Sequence, residues 1–209
     1  MIKALLLIFE PYATWERIRR ARRGLAFVLL LHLLPTLLLI SAAEGYGLHQ
    51  WGRARELGPR RIYNTGEVII FEATQFILFV AVVFIGARLI KSVGETFHGR
   101  HTFTQTFAVV AYGLSPLFLL HLLNAVKDIS PWMTWAIGII LSMAVLYQGV
   151  PRMMEPDPPH AFGLYLMSSL LLLFVTGLAR FLTAWYLQGK FLTVDAFVTR
   201  LAERLHLPL

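Results

Sequence analysis

Five polar side chains that could do chemistry lie inside long apolar stretches of this 209-residue chain. An ionisable side chain in an apolar, membrane-length segment is costly, so it is a functional-site hypothesis by default. A carboxylate, a guanidinium, an imidazole and two amides together could form an ion pair or bind a polar ligand. The five residues are Glu72, Gln75, His121, Asn124 and Arg180.

The composition defines the elements that must position these side chains. Hydrophobic residues make up 57% of the chain and charged residues only 15%, against about 25% charged in an ordinary soluble domain. A bilayer-crossing helix needs about 20 apolar residues, and five stretches meet this requirement. They are continuously apolar rather than alternating, which favours helices over a membrane β-barrel. The sequence therefore predicts one all-α domain over 1–209, a polytopic membrane protein with a five-transmembrane-helix bundle at residues 24–43, 67–88, 106–126, 132–150 and 161–187.

Consecutive spans run in opposite directions, and this places the polar residues at one membrane face. At 1.5 Å of rise per residue, Glu72, His121, Asn124 and Arg180 fall in the third of the membrane opposite the N-terminus, and Gln75 lies on the same helix face as Glu72. We predict that Glu72 pairs with Arg180, with His121, Asn124 and Gln75 nearby. Two alternatives stay open: Arg180 extends to the surface while Glu72 is half-exposed at its own interface, or the group forms a ligand-binding pocket.

Other candidate reactive groups are sparse. His32, in the middle of the first span, could hydrogen-bond a neighbouring helix or relay protons. His98-x-x-His101 could bind a metal, but no acidic or Cys ligand accompanies it at close spacing, and the chain has no Cys. Recognised catalytic motifs are missing from the sequence. We therefore predict no enzymatic activity, no cofactor and no metal.

The net charge of +7 is explained by residues that flank the spans. With the N-terminus inside, ten basic residues flank the inner side and eight the outer side, and the cluster before the first span favours a cytoplasmic N-terminus and a periplasmic C-terminus. This pattern does not indicate nucleic-acid binding. Segment 1–23 is predicted to be interfacial or cytoplasmic, and segment 188–209 to be an amphipathic tail. The predicted contacts with the lipid surface are Arg17, Arg19, Arg20, Arg22 and Arg23.

Three motifs occur in order along the chain. The first is Phe9-x-Pro11-x-x-x-Trp15-x-x-Ile18. The second, in the third span, joins Tyr112 and Gly113 to Pro116. The third is a crossover after the fourth span, with the residues Tyr147, Gly149, Pro151, Met154, Pro158, Ala161 and Tyr165. Together these motifs resemble the Yip1 family, including its bacterial branch, whose members often carry Lys where this chain has Glu155.

Physical reasons support several motif residues independently. Pro116 is predicted to kink the third span, and Gly113 to let a neighbouring helix approach closely. Gly149 and Pro151 are predicted to end the fourth span, because proline cannot continue the hydrogen-bond ladder. Tyr147 and Tyr165 are expected at the membrane edge, as in an aromatic belt.

The resemblance implies a five-span integral membrane protein, linked in eukaryotes to vesicle trafficking. Its long eukaryotic N-terminal region is missing from this sequence. The favoured function is a non-enzymatic protein that organises membrane lipids, other membrane proteins or a homo-oligomer in the bacterial inner membrane. The alternative is a small transporter or permease component using Glu72, His121 and Arg180. A lipid-modifying enzyme is a third hypothesis, which only the polar cluster and His98 with His101 would support.

Overall fold

Five long apolar helices build the protein, as the sequence predicts. The computed structural model describes residues 2–53, 60–99 and 101–188. Beyond Gln188 the predicted amphipathic tail of 188–209 lies outside the described residues. Each helix is long and apolar enough to cross a membrane, so the chain is an integral membrane protein. The five spans are Leu25–Gln50, Thr65–Thr96, Phe103–Ala125, Pro131–Met154 and Pro158–Leu187.

The first span continues seven residues beyond its predicted end. It comprises Leu25–Val28, a π-helical turn at Leu29–Leu33 and Leu34–Gln50. The π turn immediately precedes Pro35, whose ring would clash with a carbonyl one turn earlier in a regular α-helix. The helix continues past Ala43 because Leu37, Ile40 and Leu48 keep an apolar stripe buried on either side of Glu44.

The second span, Thr65–Thr96, is 32 residues long, ten more than predicted. Asn64 caps its start by accepting from the Glu67 backbone N–H, while the Glu67 carboxylate accepts from the Asn64 N–H. At 1.5 Å per residue the helix measures about 48 Å, well beyond a hydrocarbon core of about 30 Å. Its ends therefore extend into the polar layers or the helix tilts.

The third span is the centre of the bundle. Its apolar stretch is 78% buried, against 28–44% for the other four. It breaks at Leu114 into Phe103–Gly113 and Ser115–His121 and then ends in a 3₁₀ turn at Leu122–Ala125. The predicted interruption of the third span near Pro116 is confirmed. At the break, the Leu117 N–H donates to Ser142 Oγ of the fourth span at 3.3 Å.

The fourth span does not end at Gly149 and Pro151, so that prediction is wrong. The helix continues to Met154 and stops at Glu155, whose φ of 45° is left-handed. Pro151 lies so near the end that it removes only one hydrogen bond of the last turns. The Arg152 side chain donates to the Gln148 carbonyl at 2.7 Å, which helps to complete this end of the helix.

Two short helices precede the spans, and one of them enters the bundle. Helix α1, Ile2–Phe9, packs on the Ser115–His121 half of the third span, with Ala4 and Leu7 fully buried. Helix α2, Pro11–Ala21, packs on the fourth span. The interfacial or cytoplasmic position of 1–23 stays a prediction, and the structure adds that two apolar side chains of α1 are buried between helices.

We call the end of the bundle at Leu25, Thr96, Phe103, Met154 and Pro158 the N-terminal face, because α2 lies there. The other end is the opposite face. A 3₁₀ turn at Pro158–His160 leads into the last helix, Ala161–Leu187.

Candidate functional site

A fully buried carboxylate, Glu44, organises the polar side chains near the opposite face. Its Oε1 accepts from Arg53 Nη2 at 2.8 Å and from Asn124 Nδ2 at 3.2 Å. Its Oε2 accepts from Gln75 Nε2 at 2.7 Å and from His121 Nε2 at 2.8 Å. We call these five residues the Glu44 cluster. They join the first three spans and the loop after the first span.

Further contacts fix the orientation of the donors. Thr134 Oγ1 of the fourth span donates to Asn124 Oδ1 at 2.7 Å, so the Asn124 amide nitrogen points at Glu44. The edge of the His121 ring meets Phe79 at a centroid distance of 5.1 Å. A short bridge between Arg53 and Arg61 holds the loop. Gly52 precedes it at a φ of 63°, beside the Arg61 carbonyl, where a side chain would clash.

The sequence placed three members of this cluster correctly and missed the other two. Gln75, His121 and Asn124 lie together as predicted. Glu44 falls just past the predicted end of the first span, outside every predicted helix. The signal that could have found it is helical spacing, because Ile40, Glu44 and Leu48 are four residues apart. Arg53 has no comparable signal in the sequence, since only the folded loop brings it to Glu44.

The predicted Glu72–Arg180 ion pair does not form. Glu72 packs against Gly45 of the first span, and neither of its carboxylate oxygens has a hydrogen-bond partner among the described residues. Arg180 lies over the Trp132 ring at 5.4 Å and reaches Thr183 Oγ1 at 3.5 Å. The prediction failed because depth in the membrane does not determine which way a side chain faces around its helix.

A cavity of about 320 Å³ opens beside the Glu44 cluster, and we call it the opposite-face cavity. It lies between the ends of the first, third and fifth spans and the start of the fourth. Trp51 and Trp132 contribute to its wall, as tryptophans do at a membrane–water interface. Its polar lining consists mainly of Arg53, Arg60, Asn124, Lys127, Asp128, Arg180 and Gln188.

A second cavity, of about 600 Å³, lies at the N-terminal face between α2 and the third and fourth spans. We call it the α2 cavity. Arg22 has a left-handed φ of 41°, which turns the chain from α2 into the first span. This turn keeps neighbouring arginines together. Four of the five predicted lipid-contacting arginines line the cavity: Arg19, Arg20, Arg22 and Arg23.

Carboxylates compensate only half of these arginines. Glu16 accepts from Arg19 at 3.1 Å and from Arg20 at 3.0 Å, and these hydrogen bonds hold the pKa of Glu16 below its ordinary value of 4.5. Glu155 also pairs with Arg19, at 3.4 Å. Among the described residues, Arg22 and Arg23 have no carboxylate partner, although Arg23 stacks over Phe27 at 4.0 Å. The fifth arginine, Arg17, pairs with Glu10 outside the cavity.

His32 contacts the third span, in keeping with the predicted hydrogen bond to a neighbouring helix. Its Nε2 lies 3.0 Å from Ser115 Oγ, and its ring packs on Tyr112 at a centroid distance of 4.2 Å. The π turn that contains His32 bulges the first span at this contact. His32 therefore helps to hold the broken part of the third span.

The structure separates His98 from His101. His101 Nε2 lies 3.3 Å from the Lys91 carbonyl. His98 instead meets Asp157 and His160 of the crossover between the last two spans, with ligand atoms within 4.8 Å of one another. These three exposed residues could hold a divalent cation, although a structural zinc site usually has four protein ligands. That the chain holds no metal stays a prediction.

Comparison with known families assigns the chain. The Yip1 domain model matches residues 5–179. The chain belongs to the Yip1 family. Comparison with curated proteins and with solved structures gives no significant match.

The three Yip1 motifs are brought together at the N-terminal face and in the core. Trp15 of α2 is fully buried, donates through Nε1 to the Val145 carbonyl at 3.0 Å and covers Gly149. Gly113 contacts Leu146, which confirms the predicted close approach. Four other motif residues are buried, namely Ile18, Tyr112, Pro116 and Met154, whereas Phe9 is exposed. The remaining residues mark helix positions: Pro11 begins α2, Pro151 lies in the last turns of the fourth span, Pro158 begins the crossover turn and Ala161 begins the last helix. The Tyr147 ring packs on the Tyr165 ring at a centroid distance of 5.2 Å.

Proposed function

We propose that this Yip1 protein is a non-enzymatic organiser of anionic lipid in the bacterial inner membrane, with its N-terminus cytoplasmic. The observation that carries the proposal is the α2 cavity. Arg22 and Arg23 line it without carboxylate partners among the described residues. Basic cavities between membrane helices are suited to anionic headgroups, and guanidinium groups match phosphate oxygens in a two-pronged geometry.

The lining of the α2 cavity supports a headgroup rather than a purely apolar ligand. Thr102, Thr104 and Gln105, at the start of the third span, line the cavity together with the arginines, and Tyr112 lines it further along that span. Since α2 also carries the buried Trp15 anchor, a bound headgroup would join α2 to the spans. Such a joint could recruit other membrane proteins or a second copy of the chain.

The Glu44 cluster favours a structural role over catalysis. All four acceptor positions of its carboxylate are used by protein donors. A carboxylate offers about four such positions, so none is free to act on a substrate. This saturation supports a non-enzymatic function.

Retention of anionic lipid by the purified protein tests the proposal. In native mass spectrometry with phosphatidylglycerol, the double variant R22Q/R23Q should retain that lipid at least about tenfold more weakly, because one charged hydrogen bond contributes roughly 1.5–3 kcal/mol. The matched control is R17Q/R88Q, which removes the same charge at the same face from two exposed positions outside the cavity. Equal weakening in both variants would indicate general surface attraction and contradict a cavity site.

A transporter is the alternative, and the specific observation in its favour is a buried ionic cluster beside a cavity. Proteoliposomes that contain the wild-type protein should then show solute flux that E44Q abolishes. A wild-type protein without flux for ions, lipids or small solutes would remove this alternative.

A further inference from the structure

Arg180 is a buried cation that has no salt bridge among the described residues, although the Glu44 carboxylate attracts it from beyond hydrogen-bond distance. The residue is only 6% exposed. Among residues 2–53, 60–99 and 101–188 no carboxylate pairs with it, and its Nε has no hydrogen-bond partner. An unpaired buried charge is costly, and a contact with Thr183 and the face of Trp132 offsets only part of that cost.

Neither nearby glutamate forms a hydrogen-bonded ion pair with Arg180. The four acceptor positions of Glu44 already receive hydrogen bonds from the rest of its cluster. Glu72 packs against Gly45, away from Arg180, and pairs with no cation in the described chain. The guanidinium therefore needs an acceptor from outside the described residues.

The cavity next to Arg180 carries an excess of positive charge. Arg53 is balanced by Glu44 and Arg60 by Asp128, at 2.8 and 2.5 Å. Lys127, exposed on the turn between the third and fourth spans, belongs to no ion pair of the described residues. Two cations, Arg180 and Lys127, thus line one cavity without a salt bridge to any described residue.

We propose that the opposite-face cavity binds a phosphate group between Arg180 and Lys127. A planar guanidinium suits the paired oxygens of a phosphate, and the two Trp residues in the wall place the cavity at headgroup depth. The phosphate comes from an anionic phospholipid or from free phosphate in solution. This site lies across the membrane from the α2 cavity and does not depend on the function proposed for that cavity.

Counting retained lipids distinguishes the two sites. In native mass spectrometry with phosphatidylglycerol, the wild-type chain should retain two lipids, R180Q one, and R180Q combined with R22Q/R23Q none. The exposed N-terminal-face variant R88Q should keep the wild-type number. Because R22Q/R23Q alone reports on the α2 cavity, failure of one site is read separately from failure of the other.

The Lys127 side chain and inorganic phosphate provide two further tests of the site. If R180Q does not fold, K127Q changes only an exposed turn residue and should weaken retention of the second lipid at least about tenfold. If phosphatidylglycerol is not retained but inorganic phosphate raises the melting temperature of the wild type and not of K127Q, the ligand is soluble phosphate. Unchanged lipid retention in both R180Q and K127Q, or no effect of either probe on the wild type, would overturn the site.

Discussion

At the residue scale, the two buried glutamates near the opposite face have opposite environments. Glu44 is surrounded by four donors, two of which come from Arg53 and His121. Glu72 has no hydrogen-bond partner among the described residues. Burial of a carboxylate is tolerated when its oxygens are fully bonded and is costly when they are not. Loss of charge should therefore have opposite consequences at the two positions.

The E44Q and E72Q variants test this difference with the same chemical change. E44Q leaves Arg53 without its counter-ion and places an amide NH₂ against donors, so we expect a loss of about 3–5 kcal/mol of unfolding free energy. E72Q replaces a buried carboxyl group that has no ion pair among the described residues, so the stability of this variant should be unchanged or higher. Unfolding in detergent micelles measures both values. Equal destabilisation by the two substitutions would contradict the assignment of Glu44 as the organising carboxylate.

At the element scale, the sequence predicted the existence of each span better than its end. Hydrophobicity located all five helices because the bilayer requires about 20 apolar residues in each. It could not place the end of the first span, because Glu44 is polar by type yet is neutralised by residues from other elements. Nor could it place α1 inside the bundle, since eight residues are too few to span and their burial depends on a groove formed by other helices.

The site shows the same limit. Gln75, His121 and Asn124 were predictable because each lies in an apolar run at similar depth. Their common partner Glu44 and the loop residue Arg53 depend on helix rotation and on the fold of a loop, which apolar spacing does not encode. The predicted pairing of Glu72 with Arg180 was wrong for the same reason, because depth along a helix does not determine its rotation.

The packing of α2 on the fourth span gives an element-scale prediction. A Cβ at Gly149 would meet the Trp15 indole, which is fully buried and bonded to Val145. G149A should therefore displace α2 and expose Trp15, with a cost of about 1–3 kcal/mol for overpacking. The shift of tryptophan fluorescence and faster proteolysis near α2 measure this change.

The matched control is G24A. Gly24 has an ordinary φ of −67°, and a Cβ there would meet nothing within 4 Å. G24A should therefore leave Trp15 buried and α2 protected. If both variants behaved like the wild type, the contact between α2 and the fourth span would not be tight.

At the scale of the whole molecule, the two faces present different basic cavities. The α2 cavity lies beside a dense run of arginines that is only partly neutralised by Glu16 and Glu155. The opposite-face cavity also contains two cations without an ion pair among the described residues, Lys127 and Arg180, and Arg180 is buried. Anionic lipid gives the cytoplasmic leaflet a negative surface potential, so orientation determines which cavity meets the higher concentration of anionic headgroups.

The basic residues predict that the N-terminal face is cytoplasmic, and the lack of native Cys makes this directly measurable. The single-cysteine variant R17C would place one exposed thiol at the N-terminal face, and the variant K127C would place one exposed thiol at the opposite face. A membrane-impermeant maleimide applied to intact cells should label K127C and leave R17C unlabelled until the membrane is permeabilised. Because the basic residues favour this orientation by only ten to eight, labelling of both variants in intact cells would show dual insertion. Labelling of R17C alone would show that the orientation is the reverse. The opposite-face cavity, rather than the α2 cavity, would then lie at the anionic cytoplasmic leaflet.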